Sequence, residues 1–335
     1  MKKILLLLLL LLPMKLNAIE SYVVMDSDSN RVLYSKNLND VHLIASTTKI
    51  MTALVAIENT DLTKIICASS EIKEVYGSMI YLEENECLPL YDLLVGLLLR
   101  SGNDSAMTIM KNTLGEETFI KEMNNLALKI GMKNTSFKNP HGLDDETKNT
   151  STAYDLALLM SYATKNKIFM EISSLKEYKT QSNKKAYLWN NKNKLLGIYK
   201  YATGGKIGYT TKSGHVFVSS STKAKENLVV VTIKDDNQFI NHKNLYEQAY
   251  KEYDKYTLLN KLTFSLKNNY YKEYYLYIKE DLEVMLKKEE KSKVNLKIKL
   301  IKKKKVENYS KVGEISVYVD KEYIDKVNIY AKKKM

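Results

Sequence analysis

Two strand-like regions bracket a helical one in this chain, and that order leaves few folds open. SYVVMDSDSNRVLYSKN (21–37) holds two alternating apolar runs around a turn of Asp26, Ser27, Asp28, Ser29 and Asn30, the pattern of a hairpin. Helical periodicity follows over 46–58, 90–100, 103–114, 116–131 and 151–165. The last of these opens with Ser151 and Thr152 as natural N-caps and has Asp155 in its first turn. Beyond about residue 200 the pattern returns to strands in GGKIGYT, HVFVSSST and NLVVVTIK, and a helical stretch over 239–253 closes the region. Strands at both ends of a domain with helices between them predict one mixed sheet whose termini meet, covered by helices.

From about residue 255 the character changes. KVNLKIKL alternates Val294, Leu296, Ile298 and Leu300 with polar residues, and ISVYV and VNIYA do the same. This predicts a small all-β module, apolar on one face and lysine-rich on the other. At the other end, Lys2 and Lys3 precede the apolar run Ile4 to Leu12, broken by Pro13, with Ala18 as a small residue suited to cleavage. That is the pattern of a secretory signal peptide, too short to span a bilayer comfortably. Leu16, three residues before the cut, is not ideal, so an uncleaved anchor stays open. The expected division is a signal peptide over 1–18, a main domain over 19–254 and a β-rich domain over 255–335, working outside the cytoplasm.

The net charge of +13 is uneven: residues 251–335 hold 22 lysines against 13 acids, and 19–250 are close to neutral. An exported protein rarely meets nucleic acid, so anionic lipid or an anionic wall polymer is the expected partner of the basic region, through attraction that salt screens. A merely solvated lysine-rich surface is the alternative. The four histidines, at 42, 141, 215 and 242, make no zinc cluster with the two cysteines. No metal or organic cofactor is expected. Cys67 and Cys87 lie in short strand-like stretches, and either a disulfide or two buried thiols fits them.

Four stretches carry chemistry. In IASTTKIMTALVAIE (44–58), Lys49 sits one helical turn after Ser46, among Ile44, Ile50, Met51 and Leu54. Either Lys49 snorkels to solvent, or it is buried, neutral and serves as the base of Ser46. LLLRSGNDSA places Ser101, Gly102 and Asn103 in a turn between helices, KNPHGLDD holds His141 and Asp144, and YATGGKIGYTTKSGHVFVSS places Lys206 on an edge-like strand. S-x-N and K-x-G are weak signals alone. With S-x-x-K, in this order, they are strong. A free lysine, with a pKa near 10.4, is no base at pH 7. Burial, a second cation at Lys206 and the positive helix end near Ser46 would all lower that value. Ser101 would relay the proton to a departing amine, and the Asn103 amide would hold Lys49 or a substrate carbonyl. The glycines at 204, 205 and 208 would let a substrate backbone lie against the strand.

On these motifs the chain resembles the low-molecular-mass penicillin-binding proteins of the serine D-alanyl-D-alanine carboxypeptidase family. The likeness runs from about 20 to 250 and, more weakly, through VGEISVYVDKEYIDKV. It implies the penicillin-binding/β-lactamase-like α/β fold, a mostly antiparallel five-stranded sheet between helices, followed by a small all-β domain. It implies Ser46, Lys49 and Ser101 as catalytic residues, with Asn103, Lys206, Gly208, Tyr209 and Thr210 binding substrate. The main-chain amides of Ser46 and Tyr209 would form the oxyanion hole. The implied partners are a peptidoglycan stem peptide and β-lactams, with loss of a terminal D-alanine through an acyl-serine.

One position departs from the pattern: the family's K-T-G reads Lys206-Ile207-Gly208, so a hydroxyl that contacts the substrate carboxylate is missing. Thr210, Thr211 or a nearby lysine is expected to compensate. A His141–Asp144 dyad is disfavoured, because the lysine fills the base role and NPHG reads as a turn. Tyr154 and Asp155 read as packing and capping. The family's C-terminal amphipathic membrane helix has no counterpart after VNIYAKKKM. Signal cleavage after Ala18 and peripheral, salt-sensitive association are therefore expected. The rival readings are a D,D-endopeptidase, a β-lactamase, or a penicillin-binding sensor or wall scaffold with vestigial catalysis.

Overall fold

The computed structural model describes residues 19–302 and 306–334; the stretch 1–18, expected as a signal peptide, lies outside the described residues. Five strands form the central sheet, in the order Val32–Lys36, Ser21–Asp26, Glu226–Ile233, Gly214–Lys223 and Ala202–Thr210. The two ends of the domain do meet: Ser21 lies opposite Ile233 and Asp26 opposite Leu228. The sheet is not mixed, however. Every neighbouring pair is antiparallel. The reason lies in the connections, since the last three strands are joined by tight hairpins, and a hairpin forces antiparallel pairing.

The period-two pattern of these strands sorts their side chains onto two faces. Val23, Met25, Val216, Val218, Val229 and Val231 enter the larger core, where the helix Ala153–Ala163 covers them. Val24, Phe217, Leu228 and Val230 face the other way, against Tyr246, Ala249 and Tyr250 of the helix Gln238–Glu252. Each fully buried aliphatic of this kind stabilises the fold by roughly 1.5–3 kcal/mol. Thr152 caps the covering helix by accepting from the Asp155 amide at 3.0 Å. The Asp155 carboxylate ties down the preceding loop through Asn134 N and Thr135 Oγ1.

Between the sheet's first and last strands lies a helical subregion built on Lys49–Asn59, Asn103–Thr113 and Glu116–Ile130. The stretch expected as one helix over 90–100 is helical throughout, but it is α-helical only over Leu90–Val95. It then widens through Gly96–Arg100 and stops at Ser101, which takes left-handed backbone at φ 65°. A second difference is a hairpin, Glu177–Gln181 with Ala186–Asn190, in a stretch without a clean apolar period. Polar anchors hold it instead. Asp92 accepts from Tyr178 Oη and Thr180 Oγ1 at 2.6 and 2.5 Å, and Glu86 from Ser182 Oγ and Tyr187 Oη at 2.6 and 2.7 Å. Cys67 and Cys87 face each other across two short strands and are joined as a disulfide.

The C-terminal module begins with the strand Asp254–Leu259, which pairs with Leu282–Leu286. Its main sheet runs Tyr274–Ile278, Glu322–Lys333, Lys311–Val319, Val294–Leu300. The expected apolar face exists in the inner strands, with Ile315, Val317, Val327 and Ile329 buried. In the outermost strand it is partial: Val294 and Leu300 pack against this core, whereas Leu296 and Ile298 are 37% and 49% exposed. The two modules are joined by ionic contacts: Arg31 forks onto both oxygens of Glu290 and donates to the Met285 carbonyl, and Lys287 pairs with Glu252.

Candidate active site

Ser46 lies on a short helical turn, Ala45–Thr48, that feeds straight into Lys49–Asn59. The residue before it, Ala45, is held at φ 45°, a left-handed conformation that an alanine adopts only under constraint. The constraint comes from two glycines. Gly142 passes so close that a Cβ would sit 1.9 Å from the Ala45 carbonyl oxygen, and a Cβ on Gly208 would meet the amide nitrogens of Ser46 and Thr47 at 2.9 and 3.0 Å. Ser46 is thus clasped between the 138–147 loop and the edge strand Ala202–Thr210, with its side chain partly open to the cleft. Gly204 and Gly205 do not lie along this cleft surface, contrary to expectation. Cβ atoms there would strike Ser173 Oγ at 2.3 Å and Val218 O at 2.4 Å, so packing behind the strand requires them.

Lys49 is wholly buried, and the snorkelling alternative is excluded. Its Nζ donates to Ser46 Oγ at 3.0 Å, to Asn103 Oδ1 at 2.6 Å and to the His141 carbonyl at 2.6 Å. Three oxygens fix the ammonium's position, and none is a carboxylate. Burial therefore pushes the Lys49 pKa well below its ordinary value, and Lys206 pushes it further down through space, against an opposing pull from Asp104. Lys206 is also buried. Its Nζ donates to Ser101 Oγ at 3.0 Å and to the Ile207 carbonyl at 2.8 Å. Burial first, and Lys192 second, bring its pKa down to about 7.

Two serine–lysine pairs thus face one cleft. Asn103, the first residue of its helix, spends both ends of its amide on position: Oδ1 on Lys49, and Nδ2 on the Tyr76 carbonyl at 2.5 Å. Asp104 holds the 76–82 segment by accepting from the Ile80 and Leu82 amides at 3.0 Å each.

Three features were not read from the sequence. His141 matters through its carbonyl and not its ring. Asn139 and Asn149 build the loop that aims this carbonyl, and Thr52 Oγ1 fastens the loop by donating to the Pro140 carbonyl at 2.6 Å. The imidazole accepts from the Leu143 amide at 3.1 Å, and burial, aided by the Lys49 charge, takes its pKa down to about 3. The dyad with Asp144 does not form: Asp144 accepts from Thr210 Oγ1 at 2.7 Å instead. Thr210 also joins the Ser213 turn, so its hydroxyl is committed within the protein. The third feature is Lys192, just past the unanticipated hairpin, whose Nζ reaches Ser78 Oγ at 3.0 Å and lines the cleft beside Arg100 and Ser101. The run N-K-N-K carried the cation but gave no sign of where it would lie.

An antiparallel five-stranded sheet against a helical subregion, with paired serines and lysines at their junction, is the arrangement of the penicillin-binding proteins and the related β-lactamases. Within that class the chain belongs to the D-alanyl-D-alanine carboxypeptidase family, whose model matches residues 13–237. Residues 253–335 match the C-terminal domain of penicillin-binding protein 5. The D-alanyl-D-alanine carboxypeptidase DacF of Bacillus subtilis is 32% identical over 251 residues, which make up 71% of this chain and 64% of that protein. DacB2 of Mycobacterium tuberculosis, of the same description, is 32% identical over 63% of this chain and 73% of its own length. The crystal structure of penicillin-binding protein 5 from Haemophilus influenzae superposes with a TM-score of 0.78, covering 94% of this chain and 97% of that one at 23% identity, and so shares the fold through both modules.

Proposed function

We propose that the protein is a serine D-alanyl-D-alanine carboxypeptidase that trims the terminal D-alanine from peptidoglycan stem pentapeptides and is acylated by penicillins. The observation that carries this reading is the 3.0 Å contact between Ser46 Oγ and a lysine whose pKa burial pushes well below its ordinary value. A neutral Lys49 takes the Ser46 proton as Oγ attacks the scissile carbonyl. The amides of Ser46 and Tyr209, one on each side of the Gly208 contact, receive the oxyanion. Ser101, tied to Lys206, passes a proton to the departing amine, and water then releases the acyl group. Asn103, Gly208 and Thr210 shape the wall that the peptide lies against. With Ile207 lacking a hydroxyl and Thr210 engaged with Asp144, the positive charge facing the substrate carboxylate comes from Lys192, with the buried Lys206 behind Ser101.

Release of D-alanine from a stem pentapeptide by the purified protein tests the reading, together with mapping of the penicillin label. Ser46→Ala should lose both, and label retained in that variant would refute the assignment. Ile207 favours one second reading, a penicillin-binding sensor with vestigial catalysis, which would acylate with penicillin yet release no D-alanine. The work site is outside the cytoplasm, with the lysine-rich C-terminal module drawn to anionic lipid or wall polymer at up to about 1 kcal/mol per lysine near the surface. Association that survives a high-salt wash would count against that electrostatic role.

A further inference from the structure

The cleft differs in chemistry on the two sides of Ser46. Toward Asn103 it holds about 520 Å³, bounded by Tyr76, Leu143, Asp144 and Thr210. Toward Ser101 a second pocket opens, of about 510 Å³. One wall of this second pocket is cationic, with Arg100 and Lys192 beside Ser101. Its apolar lining is Ile207 and Phe239, backed by Phe217, which stacks edge-on with Phe239 at 5.3 Å. Gln238, nine-tenths buried, lines the pocket too.

Ser101, paired with Lys206, lies on this side and Asn103 on the other, so the departing residue occupies this pocket. A methyl group fills little of it, since pockets of about 300–1,000 Å³ take far larger ligands. Ile207 is decisive. A threonine here would set a hydroxyl beside the carboxylate, whereas isoleucine continues the apolar surface to Phe239.

We propose that this pocket binds the side chain of the departing residue, and that the enzyme turns over C-terminal D-residues with long, uncharged side chains at least as well as D-alanine. The proposal rests on the carboxypeptidase reading of Ser46. The chemistry is unchanged: the Ser46 Oγ–carbonyl bond forms as the amide C–N bond breaks. The Ser46 proton ends on the departing amine, and water hydrolyses the ester and restores the hydroxyl. Arg100, Lys192 and Lys194 beside the pocket exclude a cationic side chain.

The test is a series of otherwise identical pentapeptides ending in D-alanine, D-methionine, D-glutamine or D-lysine, with kcat/KM read from the released amino acid. D-Methionine and its near-isostere D-glutamine should equal or exceed D-alanine, and D-lysine should fall at least tenfold below D-methionine. Ile207→Thr and Phe239→Ala should each lower the D-methionine to D-alanine ratio about tenfold, the scale on which one methylene is discriminated in an apolar pocket. Stoichiometric penicillin labelling shows that each variant is folded. A wild type that prefers D-alanine tenfold or more overturns the proposal, as does a ratio that neither labelled variant moves. Release of D-alanine alone would leave the carboxypeptidase reading standing. Release from none of the four peptides would remove that reading and this one together.

Discussion

Replacing Lys206 with methionine should make the protein more stable at neutral pH while damaging its chemistry. Burial holds the Lys206 pKa at about 7 against an ordinary 10.5. At about 1.4 kcal/mol per tenfold change in proton affinity, keeping that ammonium protonated in the fold costs roughly 4–5 kcal/mol. The sign follows from proton counts. Below about pH 7 both states carry the proton, and the full cost is present. Between about 7 and 10.5 the unfolded chain holds a proton that the folded one has released, so stability rises with pH by about 1.4 kcal/mol per unit. Above that window the cost is gone. Methionine fills a similar volume without charge, at a packing cost under about 1.5 kcal/mol. It leaves Ser101 Oγ and the Ile207 carbonyl each short of a donor, for about 1–3 kcal/mol. The variant should therefore gain roughly 1–3 kcal/mol at pH 6 and lose that advantage by pH 10. Urea titrations at unit pH steps would measure the difference, in which other titrating groups cancel. Profiles that run parallel from pH 7 to 10 would refute the argument, because they would mean that Lys206 releases no proton on folding in that range. In the same variant the charge that depresses Lys49 is lost, so the pH profile of penicillin acylation should move upward.

Lys49→Arg keeps a cation but cannot take a proton, so acylation should drop about 10²–10⁴-fold in stopped-flow labelling while circular dichroism stays native. Gly142→Ala would drive a Cβ into the Ala45 carbonyl at a φ of 91°, and should cut acylation at least tenfold without preventing the chain from folding. Opening the Cys67–Cys87 disulfide by a double alanine substitution should cost about 3 kcal/mol in denaturant unfolding. It should also raise KM more than it lowers kcat, because the enclosed 68–86 segment carries the Tyr76 and Ser78 wall of the cleft.

The Ser46–Lys49 pair was legible because a lysine one helical turn from a serine in an apolar stretch survives burial only with partners, whereas the contact of Ser101 with Lys206 joins residues 105 apart and had no local signal. The sheet was legible from alternation at 21–37 and 204–234, and its termini were placed together correctly. Alternation alone suggested a mixed sheet; strand direction came with the family resemblance, which implied the mostly antiparallel sheet that is found. The hairpin at 177–190 went unread because carboxylates at Asp92 and Glu86 hold it, and pairings some 90 residues apart leave no local pattern. The same holds for the His141 carbonyl: no side-chain code announces a backbone acceptor. Glycines 204 and 205 were assigned to the substrate because they flank Lys206, but which side of a strand a glycine serves is fixed by its neighbours in space.

The central pairing of Ser21–Asp26 with Glu226–Ile233 sets an order of events during synthesis. The first strand leaves the ribosome roughly 200 residues ahead of the strand it must pair with, a wait of about 10–40 s at ~5–20 residues per second. Until then the sheet has no middle, and neither the Ala202–Thr210 edge nor the cleft beside it has anything to lean on. Truncated chains ending before residue 226 should accumulate as an assembled helical subregion with an orphaned hairpin, unable to bind penicillin. Long-range closure of this kind slows folding and keeps the apolar strand available to chaperones throughout the interval.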